Sequence, residues 1–322
     1  MFCEDMHTVP DIAIVIPCYR SSDSIEILVN RIIATCEKNK LAAECILIDD
    51  ASPDEAGTWR TIQGLGRKYP DVVRGFRLAR NVGQHSALLC GMSLVSELTL
   101  VVVTMDDDLQ QLPEDIPKML SAITEGADLV VGAYPQKKHA IWRNIAGGMV
   151  DRTLRKLFSL PKEFQLTSFR AFRRYAAQEA VESGGRYSYI TASLLSITRR
   201  RVNVPVQHED RKQGRSGYTL LRSIELALNL YLTYSRIPLY LIFFLFLVSM
   251  GATLVIVGWT LYRYSVNSQI PMGWTSQMMM IGMSCTLNLI ATAVVAVFVT
   301  RSHRTAMIPQ ARWRVAESTS DV

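Results

Sequence analysis

Short apolar runs alternate with amphipathic stretches over the first 135 residues of the chain. Continuous runs of apolar and β-branched residues predict buried strands, and they lie at 12–17, 45–49, 72–78, 100–105 and 128–133. After the first run, apolar residues recur from Ile25 at positions i, i+3, i+4, i+7 and i+8, which predicts a helix. Ser21, Ser22 or Ser24 is placed to cap it, and residues 85–95 also favour a helix. This alternation predicts an α/β fold, with a mostly parallel sheet and helices on both faces.

Charged side chains disappear from two long stretches near the C-terminal end, 237–262 and 278–300. Each exceeds the roughly 20 apolar residues that cross a bilayer core, so they predict two transmembrane helices, with buried core helices as the alternative. Basic residues lie outside this hairpin, at Arg236 and after residue 300, whereas the connecting loop has only Arg263. The positive-inside rule therefore predicts that both chain termini are cytoplasmic.

These patterns divide the chain into four parts. We expect a cytosolic α/β domain at 1–215, a juxtamembrane amphipathic segment at 216–236, a two-helix hairpin at 237–300 and a cytosolic basic tail at 301–322. The six cysteines have no CxxC spacing, which disfavours a zinc site and fits a reducing compartment. The N-terminus shows no signal-peptide pattern. The predicted location is the cytoplasmic (inner) membrane, with several passes.

The chain carries a net charge of +6 and has a pI near 9.0. A basic balance suits an anionic partner, which composition alone leaves open among nucleic acid, a phosphorylated metabolite and a membrane surface. Between Arg170 and Arg236 there are twelve basic and five acidic residues, so the positive charge is concentrated before the first predicted span. One interpretation is an entry site for a lipid phosphate, with Arg170 among its ligands. The alternative is ordinary cytoplasmic flanking charge.

Polar residues follow three of the predicted strands, at 17–20, 49–54 and 106–108. Any one of these segments alone is typical of a solvated loop. Ligands of parallel sheets, however, bind beyond the carboxyl ends of the strands, so the three together predict a site. The nucleotide-binding candidates are Pro17, Tyr19, Asp49, Asp50, Ser52, Asp106 and Asp107.

Three carboxylates at the end of a buried strand repel one another and resist desolvation. Hard oxygen ligands favour Mg²⁺ or Mn²⁺, which commonly takes its other ligands from substrate phosphates. In an extended chain Asp106 and Asp108 share a face, Gln110 continues it and Asp107 points elsewhere. Asp106, Asp108 and Gln110 are therefore the metal candidates, and the ion would assist the departure of a diphosphate. The alternative, a helix N-terminus, accounts for Glu114 and Asp115 but not for all three earlier acids.

These residues resemble the family 2 glycosyltransferases with the GT-A fold, and within them the membrane-anchored polyprenyl-phosphate sugar transferases. That group includes undecaprenyl-phosphate glucosyl- and aminoarabinosyl-transferases and, more distantly, dolichol-phosphate mannose synthase. The resemblance covers roughly residues 10–300 and is carried by IVIPCYRSSDSI, IDDASPD, RNVGQHSALLCG, MDDDLQQLPEDIP and HEDRKQGRSGY. It implies inverting transfer of a sugar from a nucleotide-sugar, with UDP favoured over GDP, to a polyprenyl (undecaprenyl) phosphate.

The same resemblance implies roles for individual residues. Asp50 would contact the base or ribose, and Asp106, Asp108 and Gln110 would surround the metal. Arg211, Arg215 and Ser216 would lie near phosphates, although Gly217 replaces the usual Lys.

Gln165 stands near the place where the family often has an Asp that serves as a base, and Gln cannot take a proton. A phosphate acceptor is mostly dianionic at neutral pH, so it needs positioning more than deprotonation. The catalytic candidates are Asp108, Gln165 and Arg211.

Two other functions remain open. One is a catalytically silent membrane-anchored scaffold of the same fold. It stays an alternative because Gln165 and Gly217 replace residues that are usual in the family. The less favoured one is a processive polysaccharide synthase, because residues 310–313 read QARW rather than QxxRW and lie beyond the last span. The expected partners are a nucleotide-sugar, a polyprenyl phosphate and the membrane, with a possible homo-oligomer and no nucleic acid. His85 and His208 are expected to be structural.

Overall fold

The structure is a computed structural model of the 322-residue chain. It describes residues 11–53, 55, 57–134, 141–183, 189–209 and 313–321, together with scattered positions between 230 and 299. The chain divides into two compact units. One comprises Met1–Ser223 and Ile308–Val322, and the other comprises Ile224–Met307.

Within the described residues, eight strands form one sheet. The strands are β1 Ile12–Cys18, β2 Ala43–Asp49, β3 Val73–Leu78, β4 Val101–Thr104, β5 Leu129–Ala133, β6 Arg170–Arg173, β7 Arg201–Pro205 and β8 Val315–Ser318. Their order across the sheet is β7-β5-β6-β4-β1-β2-β3-β8.

Parallel pairing dominates the sheet. β1 lies parallel to β2 and to β4, β2 to β3, and β5 to β7. β6 runs antiparallel between β4 and β5, and β8 runs antiparallel to β3 at the edge. The prediction of a mostly parallel sheet is confirmed, and all five predicted strands are present. The sequence analysis missed β6, β7 and β8, because they are four or five residues long and lack a continuous apolar run.

The helices cover the sheet as the sequence predicts. They are α1 Ser22–Asn39, α2 Thr58–Lys68, α3 Gln84–Ser93, α4 Ile116–Thr124, α5 Ile141–Phe158, α6 Arg174–Glu182 and α7 Ile190–Ile197, with short 3₁₀ turns at Pro113–Asp115 and Thr319–Asp321. Helix α1 ends at Lys40, whose left-handed backbone (φ 53°) directs its N–H at the carbonyls of Cys36 and Glu37. Ser21 occupies the N-cap position of α1 and makes no side-chain cap to its first turn.

Two apolar clusters form the core, one on each face of the sheet. Ile14 and Ile16 of β1 pack with α1 and α2 on one face, whereas Val15 packs with α3 on the other. This is the alternation of side chains along a strand. At Gly91 of α3 an added Cβ would lie 2.3 Å from Val15 Cγ1, so this glycine allows α3 to approach β1 closely.

Among the described residues, no helix combines the length and the apolar character needed to cross a membrane. The predicted spans at 237–262 and 278–300 are described only at scattered positions, and nearly all of the juxtamembrane segment 216–236 lies outside the described residues. Within the segment predicted as a basic tail, residues Val315–Ser318 join the sheet as β8.

Candidate active site

A cleft of about 490 Å³ opens where β1, β2 and β4 end. The carboxyl ends of neighbouring parallel strands meet at this edge of the sheet, as expected for a ligand site of an α/β fold. Its lining residues come from those strand ends and from the loop between β3 and α3. They are Pro17, Cys18, Tyr19, Asp50, Asn81, Gly83, Gln84, Asp106, Asp107, Asp108 and Gln110.

Neutral donors hold the Asp106 carboxylate in place. Gln84 Nε2 donates to Oδ1 at 2.6 Å, and Gln111 Nε2 donates to Oδ2 at 3.0 Å. The Ser168 hydroxyl also donates to Oδ2, while Gln111 Oε1 accepts the backbone N–H of Asp106 at 3.0 Å. These donors fix the orientation of the carboxylate without neutralising its charge.

The sequence analysis missed Gln84, Gln111 and Ser168. Gln84 lies within the quoted RNVGQHSALLCG motif, so a role could have been assigned to it. Ser168 is 62 residues from Asp106, and no periodicity or local spacing links the two.

The chain turns directly after the three carboxylates. Leu109 adopts a left-handed backbone with φ 63°, so the extended geometry that would place Gln110 on the face of Asp106 and Asp108 is absent. Gln110 lines the cleft nevertheless, because the turn directs it there. Asp106, Asp107 and Asp108 all line the cleft.

Asp107 and Asp108 make different contacts. Asp107 Oδ2 accepts the backbone N–H of Tyr19 at 3.2 Å, which ties the end of β4 to the end of β1. Asp108 Oδ1 accepts the backbone N–H of Gln110 at 3.2 Å. Burial, with the negative charges of Asp106 and Asp108 added, raises the pKa of Asp107 to about 6.

The residues present fit a hard divalent cation shared with a substrate. Within the described ranges, no three His, Cys, Asp or Glu side chains are grouped as a complete metal site. Mg²⁺ usually binds through one or two carboxylates and completes its shell with water and substrate phosphates. Asp106 and Asp108 provide such carboxylates in a cleft large enough for a diphosphate.

We expect Asp107→Asn to stabilise the protein above pH 6 when no divalent cation is present. The folded carboxyl binds its proton more tightly than the unfolded one, whose pKa is near 3.8. The folded state is therefore penalised as pH rises from about 4 to 6. The gain at pH 7.5 should be about 1–2 kcal/mol, after allowance for solvent screening.

Thermal unfolding in EDTA across pH 4 to 8 measures this difference. It should vanish near pH 4, where the wild-type carboxyl is protonated in the folded protein. A constant difference at all pH values would contradict the assignment.

Asp50 organises the loop between β3 and α3. Its Oδ1 accepts the backbone N–H of Val82 at 2.7 Å, and its Oδ2 accepts that of Gly83 at 2.8 Å. Burial raises the pKa of Asp50, and the two N–H bonds oppose that rise. Through these bonds Asp50 positions the loop that brings Asn81, Gly83 and Gln84 to the cleft.

Asp49 and Ser52, which were predicted to bind the nucleotide, support the turn after β2 instead of lining the cleft. Asp49 is fully buried. Its Oδ1 accepts the backbone N–H of Ser52 at 3.0 Å, and its Oδ2 lies 3.5 Å from Arg77 Nε. The Ser52 hydroxyl, also buried, accepts the backbone N–H of Arg20 at 3.0 Å. Asp49 and Ser52 therefore shape the strand end, whereas Pro17 and Tyr19 line the cleft as predicted.

Gln165 is held by the backbone of a neighbouring segment. Its side-chain oxygen accepts the N–H of Tyr134 at 2.9 Å, and its amide nitrogen donates to the Tyr134 carbonyl at 2.9 Å. The Gln165 N–H donates to Asn203 Oδ1 at 2.7 Å. The side chain thus links its own segment to that of Tyr134, while the backbone of Gln165 bonds to Asn203, and Gln165 is not among the residues that line the cleft. These contacts are structural, and the catalytic role of Gln165 stays a prediction.

We expect Gln165→Glu to lower stability by about 1–2 kcal/mol without introducing a catalytic base. One carboxylate oxygen would face the Tyr134 carbonyl, where the amide now donates, so a hydrogen bond becomes a repulsion. Thermal unfolding and the pH–rate profile of the variant test this expectation. A gain in activity with a new ascending limb in that profile would contradict it.

Arg170 is buried beneath the site. Its Nε donates to the Thr167 carbonyl and its Nη2 donates to Thr191 Oγ1 at 2.9 Å. Burial lowers its pKa, and only 6% of the residue is exposed. The guanidinium braces the segment that carries Ser168, and the predicted binding of an acceptor phosphate by Arg170 stays a prediction.

The remaining candidates lie elsewhere. Arg211, Arg215 and Ser216 are outside the described residues.

The Nδ1 atoms of His85 and His208 are buried without a hydrogen-bond partner among the described residues. Burial, aided by the charge of Arg170, lowers the pKa of His85 to about 4, and its ring packs edge-on against Tyr189. A neutral, packed His85 fits the structural role expected for it.

Residues 13–180, more than half of the chain, match the sequence profile of the family described as Glycosyl transferase family 2. The matched range contains every residue that lines the cleft.

Several solved structures are similar to this chain. Mannosyl-3-phosphoglycerate synthase from Rubrobacter xylanophilus is 18% identical, covering 68% of this chain and 70% of that one, with a TM-score of 0.48. TarS 1-349 from S. aureus, in complex with UDP-GlcNAc, is 15% identical over 70% and 67% of the two chains, with a TM-score of 0.48. Glucosyl-3-phosphoglycerate synthase from Mycobacterium tuberculosis, in complex with Mn²⁺ and uridine-diphosphate-glucose, is 18% identical over 69% and 79%, with a TM-score of 0.46.

Proposed function

Since this chain belongs to glycosyl transferase family 2, we propose that it transfers a sugar from a nucleotide-sugar to a polyprenyl phosphate at the cytoplasmic face of a membrane. The transfer would invert the anomeric carbon, with UDP as the preferred nucleotide and undecaprenyl phosphate as the preferred lipid. The proposal has a donor half, the binding of the nucleotide-sugar, and an acceptor half, the binding of the lipid phosphate. The observation that supports the donor half is the cleft where Asp106, Asp107 and Asp108 meet the loop held by Asp50.

The donor half follows from the chemistry of these side chains. Asp106 and Asp108 would hold Mg²⁺ or Mn²⁺ together with the donor diphosphate. When bound, the ion supplies Lewis-acid stabilisation of the departing nucleotide diphosphate. Gln84, Gln111 and Ser168 keep the Asp106 carboxylate oriented toward that position. The loop at 81–84 lines the same cleft and would border the nucleotide.

The acceptor half rests on the sequence and on the role of Gln165. The amide of Gln165 is engaged with the Tyr134 backbone, so it supplies no base. An acceptor that is already an anion suits such a site, and a lipid phosphate is mostly dianionic at neutral pH. Arg211, Arg215 and Ser216 are the proposed ligands of the acceptor phosphate. The apolar stretches 237–262 and 278–300 are the proposed membrane anchor, which would place the protein in the cytoplasmic membrane as a multi-pass protein.

A transfer assay with the purified full-length chain in detergent tests both halves. UDP- and GDP-sugars would be incubated with undecaprenyl phosphate and Mn²⁺ or Mg²⁺, and glycolipid would be detected by mass spectrometry. We expect one donor to give glycosyl-phosphoryl-undecaprenol, with no product in EDTA.

The controls separate the two halves of the proposal. Replacing the lipid by undecaprenol, which has a hydroxyl in place of the phosphate, should abolish transfer. Metal-dependent donor hydrolysis without transfer to the lipid would contradict the acceptor assignment. Absence of metal-dependent binding of any nucleotide-sugar would contradict the donor assignment and favour a catalytically silent scaffold.

A further inference from the structure

The last described segment of the chain, 313–321, lies at the edge of the sheet beside the loop between β3 and α3. The Ala79 N–H donates to the Arg314 carbonyl at 2.8 Å, and the Gly75 N–H donates to the Thr319 hydroxyl at 3.0 Å. Between these two bonds, β8 pairs Glu317 directly with Arg77 of β3. The pairing fixes the position of Glu317 at both ends of the strand.

The Glu317 carboxylate bridges two side chains. Its Oε1 lies 3.1 Å from Arg77 Nη1, and its Oε2 accepts the indole N–H of Trp59 at 2.8 Å. The Glu317 side chain is 47% exposed and that of Arg77 is 21% exposed. The C-terminal segment therefore contacts the Arg77 guanidinium through Glu317.

The inner side of the same guanidinium reaches the end of β2. Arg77 Nη2 donates to the Ser52 carbonyl at 3.2 Å, and Nε lies 3.5 Å from Asp49 Oδ2. Between these two contacts the chain makes a tight turn, with Ala51 in a left-handed backbone at φ 52°. Such a conformation is costly for a residue with a Cβ and persists only where its surroundings enforce it.

The turn held by Arg77 carries Asp50. The Asp50 N–H donates to the Cys18 carbonyl at 2.9 Å, and its carboxylate holds the loop that borders the cleft. A chain of contacts thus runs from Glu317 through Arg77 and the turn at 49–52 to the donor side of the cleft.

We propose that Glu317 is a positioning residue for donor binding, which it assists by fixing Arg77 against the Asp49–Ser52 turn. The inference rests on the proposed use of this cleft for a nucleotide-sugar. The C-terminal segment then completes the donor site, although it follows the donor-site residues by more than 200 positions in the sequence.

The test compares Glu317→Ala with Trp59→Phe in the full-length protein. Both variants remove a hydrogen bond of the Glu317 carboxylate, but only Glu317→Ala removes the ion pair with Arg77. We expect Glu317→Ala to raise the donor KM and the Kd for UDP with Mn²⁺ about fivefold, the size of a partly exposed ion pair. Its kcat and its KM for the lipid should stay within twofold of wild type.

Trp59→Phe keeps the ion pair and should leave the donor KM within twofold of wild type, even where packing losses lower its melting temperature. If the role of Glu317 were purely structural, Glu317→Ala would behave like Trp59→Phe, with a lower melting temperature and an unchanged donor KM. That result would overturn the inference.

Hydrogen exchange in the absence of ligand gives a second readout. Amides of the turn, Ala51 and Ser52 among them, should exchange faster in Glu317→Ala than in Trp59→Phe. Equal exchange in the two variants would also overturn the inference. Wild-type protein that binds neither UDP nor GDP with Mn²⁺ would instead contradict the proposed function, and the inference about donor binding would fall with it.

Discussion

Asp108→Asn should lower the rate of sugar transfer by a factor on the order of 10²–10³. The substitution keeps the shape of the side chain and an oxygen that can accept the Gln110 N–H, now bonded at 3.2 Å. It removes one negative charge from the carboxylates at the end of β4. Lewis-acid stabilisation of a leaving group is worth several kcal/mol, and each 1.36 kcal/mol changes the rate about tenfold.

The loss should appear together with a weaker affinity for metal. The Mn²⁺ concentration for half-maximal activity should rise, and calorimetric titration of the variant with Mn²⁺ and UDP should show weaker coupled binding. The matched control is Glu114→Gln, a similar neutralisation a few residues away. Glu114 is about half exposed and pairs with Arg31 at 2.9 Å, so this variant should keep its activity within twofold. Transfer by Asp108→Asn at a rate close to wild type would exclude Asp108 from the metal site.

Asp50→Asn should weaken nucleotide binding about 30-fold. The Asn oxygen can accept only one of the two N–H groups of Val82 and Gly83, and the new amide NH₂ would face the other. A backbone donor without its partner costs about 1–3 kcal/mol, and the loss of a charge-assisted bond adds to it. About 2 kcal/mol corresponds to a factor of roughly 30 in a dissociation constant.

The effect should be confined to the donor. Titration with UDP and Mn²⁺ measures it directly, and the KM for the lipid acceptor should change little. Asp23→Asn serves as the control, because Asp23 is exposed in the first turn of α1 and bonds only locally to Ser22. If Asp50→Asn lost stability but bound UDP as tightly as wild type, the loop at 81–84 would have no part in donor binding.

Part of the site was predictable from the sequence. The apolar runs before Pro17, Asp50 and Asp106 predicted strands that the structure contains, and strands of a parallel sheet end on one edge. That argument brings Tyr19, Asp50 and the three carboxylates to one cleft, as observed. It relies only on periodicity and on chain direction, both of which are local properties of the sequence.

The contacts of a side chain were not predictable in this way where its partner is distant along the chain. Asp49 and Asp50 are adjacent and chemically equal, yet Asp49 is fully buried against Arg77 while Asp50 lines the cleft. Gln165 stands where a base was sought, and its amide instead joins two backbone groups of Tyr134. Arg170, predicted as a ligand of the acceptor phosphate, is buried and braces the segment that carries Ser168.

The sequence by itself determined the α/β alternation, the strand ends that form the cleft and the acidic character of its floor. Each depends on residues that are neighbours in the chain. Only the tertiary structure decided that Ser168 and Gln111 hold Asp106, and that Glu317 reaches Arg77 across 240 residues. The physical reason is that a hydrogen bond requires about 3 Å and a favourable angle, and packing of the whole sheet sets such distances between remote residues.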